Sequence, residues 1–203
     1  MTGTFAIVVA AGRGTRLKGD RPKQYLPLGG HALLRHSLAR LYGAAEVDGV
    51  RAVIHPDDAD DYARAAEGLP MLPPVAGGEN RQDSVLRGLE SLVDLAPEKV
   101  LIHDGARPFP SGALIARVAA ALESHDGAIA ALPVVDTLKR ESAGAIAGTL
   151  ERQGLWRAQT PQGFRFPAIL QAHRAAAGAT LTDDAAVAEA AGLTVALIEG
   201  EED

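Results

Sequence analysis

Glycines and cationic side chains cluster near the amino terminus, in the stretch VVAAGRGTRLKGDRPKQYLPLGG from Val8 to Gly30. Glycines allow backbone N–H groups to approach an anion closely, and cationic side chains neutralise its charge. The cations of this stretch are Arg13, Arg16, Lys18, Arg21 and Lys23. Because they stand together in a chain whose formal net charge is −6, they indicate a local site for a polyphosphate.

Two common phosphate-binding fingerprints do not fit this stretch. Gly12 and Gly14 match the start of the dinucleotide pattern GxGxxG, but Leu17 stands at the third glycine. The next predicted strand ends in His55 rather than in an acidic residue that would bind a ribose, so a dinucleotide oxidoreductase is disfavoured. The Walker A pattern also fails, because no Lys-Ser/Thr pair follows the glycines. A solvated basic turn is the alternative; the strand before the loop and the cations after it favour phosphate binding.

Composition bounds the remaining possibilities. The 203 residues fit one domain, and 47% hydrophobic with 23% charged residues are typical of a globular chain. The negative net charge argues against general binding to nucleic acid or to a membrane surface. Without cysteine there is neither a disulfide framework nor a thiolate metal site. The apolar run FAIVVAA is too short for a membrane span and lacks a signal-peptide pattern, so we expect a cytoplasmic protein.

Alternating strand and helix patterns must position the glycine loop. Continuous apolar runs predict buried strands over residues 5–10, 50–55, 99–103, 128–134 and 194–199. Helices are predicted over residues 31–42, 57–67, 81–92, 111–123, 167–177 and 183–190, with Asp57 and Ser111 as N-caps. This order predicts a single Rossmann-like α/β domain over residues 1–203, with a mostly parallel sheet flanked by helices. Ligands of such sheets bind at the carboxyl ends of the strands.

One segment interrupts this alternation. Residues 137–156, TLKRESAGAIAGTLERQGLW, read as two short strands around a Ser-Ala-Gly turn and are too polar for the core. We therefore predict a protruding β-arm, which serves either as a surface flap or as a dimerisation arm.

The motifs together resemble a known family. AAGRGTRLKGDRPKQYLPLGGHALLRHSL is similar to the N-terminal signature of nucleotidyltransferases that join a sugar or polyol phosphate to a nucleoside triphosphate. The PKQY form resembles the cytidylyltransferases of 2-C-methyl-D-erythritol 4-phosphate, which serve isoprenoid-precursor synthesis by the non-mevalonate route. Further blocks match in order: GGENRQDSV, HDGARP, PVVDTLKR, GLWRAQTPQGF and LTDDA. VIHPDD, LPPVAGG and RAQTPQGFRF especially resemble versions fused to the cyclodiphosphate synthase of the same pathway.

The resemblance implies a reaction in which the acceptor phosphate attacks the α-phosphorus of CTP and pyrophosphate leaves. The attacking oxygen is already ionised near pH 7, because the second pKa of a phosphate is about 6, so no general base is needed. Catalysis is then positioning and charge stabilisation, in keeping with a site rich in Arg and Lys. The family also implies a divalent cation, normally Mg²⁺, and a homodimer in which the arm crosses to the second subunit.

The resemblance also implies roles for individual residues. The catalytic residues would be Arg16, Lys23 and Arg152. CTP would be bound by Ala10, Ala11, Gly12, Gly14, Gly78, Glu79, Arg81, Ser84 and Asp104. The acceptor would be bound by Asp104, Arg107, Thr137, Arg152 and Thr160, and Asp104 would hold the metal ion together with the CTP phosphates. Asp183 and Asp184 are expected to act mainly as caps at a helix start.

Two points depart from the family pattern or leave it open. The family has a lysine shortly after the final EG block, whereas this chain ends LIEGEED, so we expect a truncated carboxyl end. Another polyol phosphate, such as ribitol 5-phosphate, stays open as the acceptor. A non-catalytic CTP-binding module is the alternative from a different functional class.

Overall fold

The computed structural model describes residues 3–13 and 21–202. Its strands are β1 (Thr4–Ala10), β2 (Pro27–Leu28), β3 (His31–Ala32), β4 (Gly49–Ile54), β5 (Leu72–Ala76), β6 (Lys99–Asp104), β7 (Gly127–Pro133), β8 (Leu138–Ser142), β9 (Ala145–Leu150), β10 (Trp156–Arg165) and β11 (Val195–Glu199). The α-helices are α1 (Leu33–Tyr42), α2 (Ala59–Ala66), α3 (Arg81–Glu90), α4 (Gly112–Ala121), α5 (Phe166–Ala175) and α6 (Asp184–Ala190). Short 3-10 turns cover Lys23–Tyr25, Pro56–Asp58 and Val93–Leu95.

Within the described residues, seven strands form one sheet in the order β11-β7-β10-β6-β1-β4-β5. β1 pairs in parallel with β4 and β6, β4 with β5, and β7 with β11. β10 lies between β6 and β7 and is antiparallel to both. The predicted mostly parallel α/β fold is therefore confirmed, as are all five predicted strands and all six predicted helices, with small differences at their ends.

Both faces of the sheet are covered by helices, which is why the five predicted strands are continuous apolar runs. On one face, α1, α2 and α4 pack against the sheet through side chains such as Leu38, Tyr62 and Ile115. On the other face, α3, α5 and α6 pack through side chains such as Leu89 and Ile169. The two layers hold the carboxyl edge of the sheet in a fixed position.

The apolar pattern did not predict β10, the antiparallel strand in the middle of the sheet. Its sequence WRAQTPQGFR is polar and contains a proline, which removes a backbone donor. Pro161 is accommodated because the pairing with β7 shifts register between Ala158 and Gln162. Thr160 and Gln162 are buried there, and their side chains are hydrogen-bonded, so hydrophobicity gives no signal for this strand.

The predicted caps differ in outcome. Ser111 is confirmed, because its Oγ accepts a hydrogen bond from the N–H of Leu114 at 3.0 Å. Asp57 as the cap of α2 is wrong, since a 3-10 turn comes first and α2 begins at Ala59. The ring Nδ1 of His55 accepts the N–H of Asp57 at 3.2 Å in that turn. The carboxylate of Asp57 is therefore available for another contact.

The predicted β-arm is a hairpin of β8 and β9 that stands apart from the main sheet. Ala143 and Gly144 form its turn with φ angles of 50° and 80°, as in a type I′ hairpin. The arm and its base expose large apolar side chains, including Ile146 (72% exposed) and Val135 (64% exposed). Over residues 3–13 and 21–202, none of the helices is both long and apolar enough to cross a membrane.

Gly88 sets the distance between α3 and the sheet, and its replacement tests this packing. A Cβ at position 88 would lie 2.9 Å from Cγ2 of both Ile7 and Val53. We expect Gly88→Val to lower the free energy of unfolding by about 1–3 kcal/mol, measured by urea denaturation, because the core is overpacked. Gly112→Ala, where no atom lies within 4 Å of the new Cβ, is the control and should be neutral or slightly stabilising. An equal loss of unfolding free energy in Gly88→Val and Gly112→Ala would contradict the close approach of α3 to the sheet.

Candidate active site

The connections of the sheet diverge at the carboxyl ends of β1 and β6. From β1 the chain passes to β4 on one side, and it reaches β6 on the other side after β5. Ligands of α/β sheets bind at such a switch point. Val9 and Asp104 are register partners here, and the N–H of Gly105 donates to the carbonyl of Val9 at 2.9 Å. The start of the glycine loop and the acidic end of β6 are therefore neighbours.

Gln24 fixes the start of the glycine loop to the turn that carries Lys23. Its buried Nε2 donates to the carbonyl of Ala10 at 2.6 Å and to that of Gly12 at 3.0 Å. Lys23 is exposed, and it directly follows Pro22 at the start of the 3-10 turn. The predicted residues Ala10, Ala11, Gly12 and Lys23 thus share one region, whereas Gly14, Arg16 and Lys18 lie outside the described residues.

Two cations of the glycine-loop segment are paired with the acidic start of α2. Arg13 donates to Asp57 at 3.0 Å and to the buried Asp58 at 2.9 Å. Arg21 forms an ion pair with Asp61. In the structure, carboxylates already compensate the charge of these two cations, and the prediction that all five cations serve a polyphosphate stays a prediction. Arg13 attaches one end of the glycine-loop segment to the 3-10 turn before α2, and Arg21 attaches the other end to α2 itself.

The loop before α3 needs glycine because other chain segments approach it closely. A Cβ on Gly77 would lie 2.3 Å from the Cβ of Ala11, in the glycine loop. A Cβ on Gly78 would lie 2.3 Å from the Cβ of Asp83. The predicted CTP residues of this loop are consequently held against the end of β1.

Ser84 is buried at the start of α3 and organises the same loop. Its Oγ accepts the N–H of Gly78 at 3.0 Å and donates to the carbonyl of Asn80 at 2.8 Å. Glu79 is exposed beside it. The structure thus gives Ser84 a loop-shaping role, and its contact with a base stays a prediction.

Asp104 lies at the end of β6 between two arginines. Its Oδ1 accepts from Nε of Arg81 at 3.2 Å, and its Oδ2 lies 3.4 Å from Nε of Arg107. All three side chains are partly exposed, between 31% and 40%. A carboxylate with compensated charge is a suitable neighbour for a polyanionic ligand, because it adds little net repulsion.

Thr160 supports Asp104 from β10. Its Oγ1 accepts the N–H of Asp104 at 3.2 Å and contacts Nδ1 of the buried His103 at 3.0 Å. Nε2 of His103 lies 2.9 Å from the carbonyl of Arg107, so this nitrogen carries the proton and Nδ1 accepts from Thr160. The hydroxyl proton of Thr160 is thereby engaged within the protein, and its predicted acceptor contact stays a prediction.

Arg81 also binds a second carboxylate, that of Asp184, for which the sequence predicts mainly a capping role. Its Nη2 donates to Oδ2 of the fully buried Asp184 at 2.8 Å. Burial alone would lower the pKa of Arg81, but the charges of Asp184 and Asp104 raise it above its usual value. Asp183, in contrast, is the N-cap of α6, accepting from the N–H of Ala186 at 2.9 Å.

His173 lies behind Asp184, with Nε2 3.2 Å from Oδ1 of the carboxylate. The contact is at ion-pair distance without the geometry of a regular hydrogen bond. Burial alone would raise the pKa of Asp184, but His173 and Arg81 hold it below its usual value. Helical spacing indicates that both side chains face the core. His173 shares a helix face with the buried Ile169, and Asp184 shares one with the buried Ala188.

The predicted acceptor residues of the arm lie apart from this cluster. Thr137 and Arg152 are exposed, and Arg152 contacts the backbone carbonyl of Val135 at the base of the arm. Within the part of the chain that the structure describes, no hydrogen bond or ion pair links either residue to Asp104 or Arg81.

Asp104 suits Mg²⁺ as a single protein ligand. Across residues 3–13 and 21–202, no group of three or more His, Cys, Asp or Glu side chains is arranged to hold a metal ion. Mg²⁺ is commonly bound by one or two carboxylates together with substrate phosphates and water. A single carboxylate such as that of Asp104 fits this mode of binding.

A Rossmann-like sheet with a glycine loop after its first strand and an arginine-paired aspartate at the neighbouring strand end defines a nucleotidyltransferase-like α/β protein. Residues 4–203 match the family described as IspD: 2-C-methyl-D-erythritol 4-phosphate cytidylyltransferase. The chain belongs to this family, which confirms the resemblance read from its motifs.

Curated relatives include fused and separate proteins. The chain is 62% identical over 204 residues to the bifunctional enzyme IspD/IspF of Rhodospirillum rubrum, covering 100% of this chain and 53% of that protein. It is 54% identical over 203 residues to the 2-C-methyl-D-erythritol 4-phosphate cytidylyltransferase of Cereibacter sphaeroides, covering 98% and 89%. The expected similarity to fused versions is confirmed, and the chain spans about half the length of the bifunctional relatives it matches.

Solved structures share the fold. A crystal structure of 4-diphosphocytidyl-2C-methyl-D-erythritol synthase has a TM-score of 0.84 at 32% identity, covering 99% of this chain and 90% of that one. The 2-C-methyl-D-erythritol 4-phosphate cytidylyltransferase of Thermus thermophilus has a TM-score of 0.80 at 34% identity, covering 96% and 88%.

The lowered pKa of Asp184 predicts a specific pH dependence of stability. A folded-state pKa below the unfolded value, about 4 for aspartate, stabilises the protein above that value. The stabilisation is lost as the pH falls through the folded pKa. We therefore expect wild type to be more stable than Asp184→Asn at neutral pH, and the difference to narrow below about pH 4. Urea unfolding of both proteins across this range measures it; a constant difference would contradict the lowered pKa.

Proposed function

We propose that this chain transfers CMP from CTP to 2-C-methyl-D-erythritol 4-phosphate, forming 4-diphosphocytidyl-2-C-methyl-D-erythritol and pyrophosphate. The observation that carries the proposal is the meeting of Ala10–Gly12 with the Asp104–Arg81 pair at the switch point of the sheet, in a member of this family. An oxygen of the acceptor phosphate bonds to the α-phosphorus of CTP. The bond from that phosphorus to the bridging oxygen breaks, and pyrophosphate leaves.

The main task of the protein in this reaction is to bring two polyanions together. The acceptor oxygen is already ionised, so the chain need not supply a base. Lys23, exposed on a turn that Gln24 fixes to the glycine loop, would follow the α-phosphoryl charge. Arg16 would supply a planar fork for two phosphate oxygens. Backbone amides of the glycine loop would bind the triphosphate.

The nucleoside would lie against the loop before α3. Gly78 and Glu79 belong to that loop, and Ser84 holds it in shape. The backbone of a glycine loop can read a base edge at close range, which would distinguish cytosine from other bases. Arg81, at the start of α3, would face the phosphates from the same side.

Asp104 would contribute one ligand to Mg²⁺ or another divalent cation, whose other ligands would come from CTP phosphates and water. When bound, such an ion neutralises phosphate charge. Arg81 and Arg107 already hold both oxygens of Asp104 in place, so its carboxylate is oriented before the nucleotide arrives.

The acceptor would be bound jointly by Arg107, Thr160 and the arm residues Thr137 and Arg152. Because the arm projects from the sheet, we propose that it reaches the site of a second copy in a homodimer. The exposed apolar side chains of the arm support this, since apolar surface of this kind favours a protein contact. Because both proposed substrates are multiply charged small molecules, we propose that the reaction takes place in the cytoplasm.

A pyrophosphate-release assay tests the activity. We expect release with CTP and 2-C-methyl-D-erythritol 4-phosphate together, and little with UTP or ATP. Lys23→Ala should lower kcat by about 100-fold or more, because it removes charge stabilisation at the transferred phosphoryl group, while the melting temperature stays unchanged.

Lys99→Ala is the matched control, since Lys99 lies at the opposite end of β6 from Asp104. Pyrophosphate release with ribitol 5-phosphate but not with 2-C-methyl-D-erythritol 4-phosphate would show that the proposed acceptor is wrong. CTP binding without turnover by any acceptor would instead support a binding module.

Mixing two inactive variants tests the shared site. In a heterodimer of Lys23→Ala and Arg152→Ala chains, one site combines an intact Lys23 with the partner subunit's intact arm. We expect the mixture to recover up to about a quarter of wild-type activity, because half of randomly mixed dimers are heterodimers and each has one intact site. The assay compares the mixture with each variant alone. If activity does not recover although an untagged variant co-purifies with a tagged one, Arg152 would belong to the site of its own chain.

A further inference from the structure

A continuous series of contacts between polar side chains leads from the core to Asp104. His173 in α5 lies 3.2 Å from Asp184 in α6, and Asp184 lies 2.8 Å from Nη2 of Arg81 in α3. Nε of Arg81 in turn lies 3.2 Å from Asp104 at the end of β6. The side chains of His173 and Asp184 are 0% and 1% exposed, while those of Arg81 and Asp104 are 31% and 34% exposed. The series therefore begins in the core and ends at the candidate active site.

A buried carboxylate is costly to desolvate, so Asp184 calls for a physical explanation. Helix capping does not explain it, because Asp183 caps α6. A purely structural ion pair would need contact with Arg81 alone. Arg81 instead uses two different nitrogens of its guanidinium, one for each carboxylate. Because the guanidinium is planar and rigid, holding Nη2 on Asp184 restricts where Nε can point, and in the structure Nε points at Asp104.

β10 connects this series to Asp104 a second time. Nε2 of Gln162 donates to Oδ2 of Asp183 at 3.0 Å, and its Oε1 accepts the N–H of Ala185 at 3.1 Å, so Gln162 fixes the start of α6. Two residues earlier, Thr160 accepts the backbone N–H of Asp104. One strand thus holds the main chain of Asp104 directly and its side chain through α6 and Arg81.

We propose that Asp184, supported by His173, is a positioning residue that orients the Asp104 carboxylate through Arg81. The proposal rests on the proposed function in that Asp104 is taken to face the nucleotide. Asp184 touches no reacting atom. Its charge holds the guanidinium of Arg81 in place, and Arg81 consequently stays on Asp104. Residues that orient a ligand-binding carboxylate from behind typically change affinity or activity by about 10- to 100-fold when replaced.

Asp184→Asn is the first test, because asparagine keeps the size of the side chain and removes its charge. We expect kcat/KM for pyrophosphate release to fall by about 10- to 100-fold, with the folded state retained. Glu90→Gln is the matched control: Glu90 pairs with Arg174 at 2.7 Å, so it links α3 and α5, the two helices that Asp184 contacts from α6, at the surface. The control should keep wild-type activity. If Asp184→Asn also keeps it, the proposal is wrong.

A double-mutant cycle separates positioning from general damage. If Asp184 acts through Arg81 on Asp104, the loss caused by Asp184→Asn should nearly vanish in an Asp104→Asn background. Equal losses in both backgrounds would overturn the proposal. If Asp184→Asn is too unstable to purify, His173→Gln takes its place in the double-mutant cycle. His173→Gln should lower kcat/KM by a smaller factor, and this loss should also nearly vanish in the Asp104→Asn background.

A crystal structure of Asp184→Asn, or of His173→Gln, gives a readout independent of turnover. We expect Nε of Arg81 to leave Asp104, with both helices in place. If the native chain releases no pyrophosphate with any acceptor, the proposed function fails, and this structure alone decides the positioning role. An Arg81 side chain that stays on Asp104 would refute it.

Discussion

The guanidinium of Arg81 is shared between a carboxylate in the core and a carboxylate at the edge of the sheet, and the arrangement of the candidate site depends on it. Asp184 is buried and Asp104 is partly exposed, so one arginine neutralises a carboxylate in the interior and another at the surface. Without it, two carboxylates would face each other near a site proposed for a triphosphate. The side chain of Arg81 therefore ties two helices, α3 and α6, to the end of β6, and His173 adds α5 through Asp184.

The same logic of local compensation applies to the glycine-loop segment. Arg13 and Arg21 flank it and pair with aspartates in the 3-10 turn before α2 and in α2 itself, so the acidic stretch there anchors the segment instead of opposing it. Lys23 is different, because no carboxylate among the described residues pairs with it. Arg13 and Arg21 thus anchor the segment through ion pairs, whereas the charge of Lys23 is exposed beside the glycine loop. The net charge of −6 gives no indication of these two different uses of positive charge.

β10 unites fold and site. Within the described residues, β10 is antiparallel to both of its neighbours in the main sheet, β6 and β7. It runs from the base of the arm through the middle of the sheet. Thr160 and Gln162 are buried polar residues that a strand in this position would normally avoid. Both are hydrogen-bonded to elements of the candidate site, which explains why polar residues stand there.

By itself, the sequence determined the α/β class, the apolar strands, the helices, the arm hairpin and the family motifs, because these depend on local periodicity and short spacings. It did not determine β10, whose pattern is polar, nor the pairing of Arg13 and Arg21 with α2. Only the tertiary structure decided that Asp184 and His173 lie behind Arg81. Residue 184 is 103 positions from residue 81, and such a contact follows from how α3, α5 and α6 pack, which no local pattern encodes.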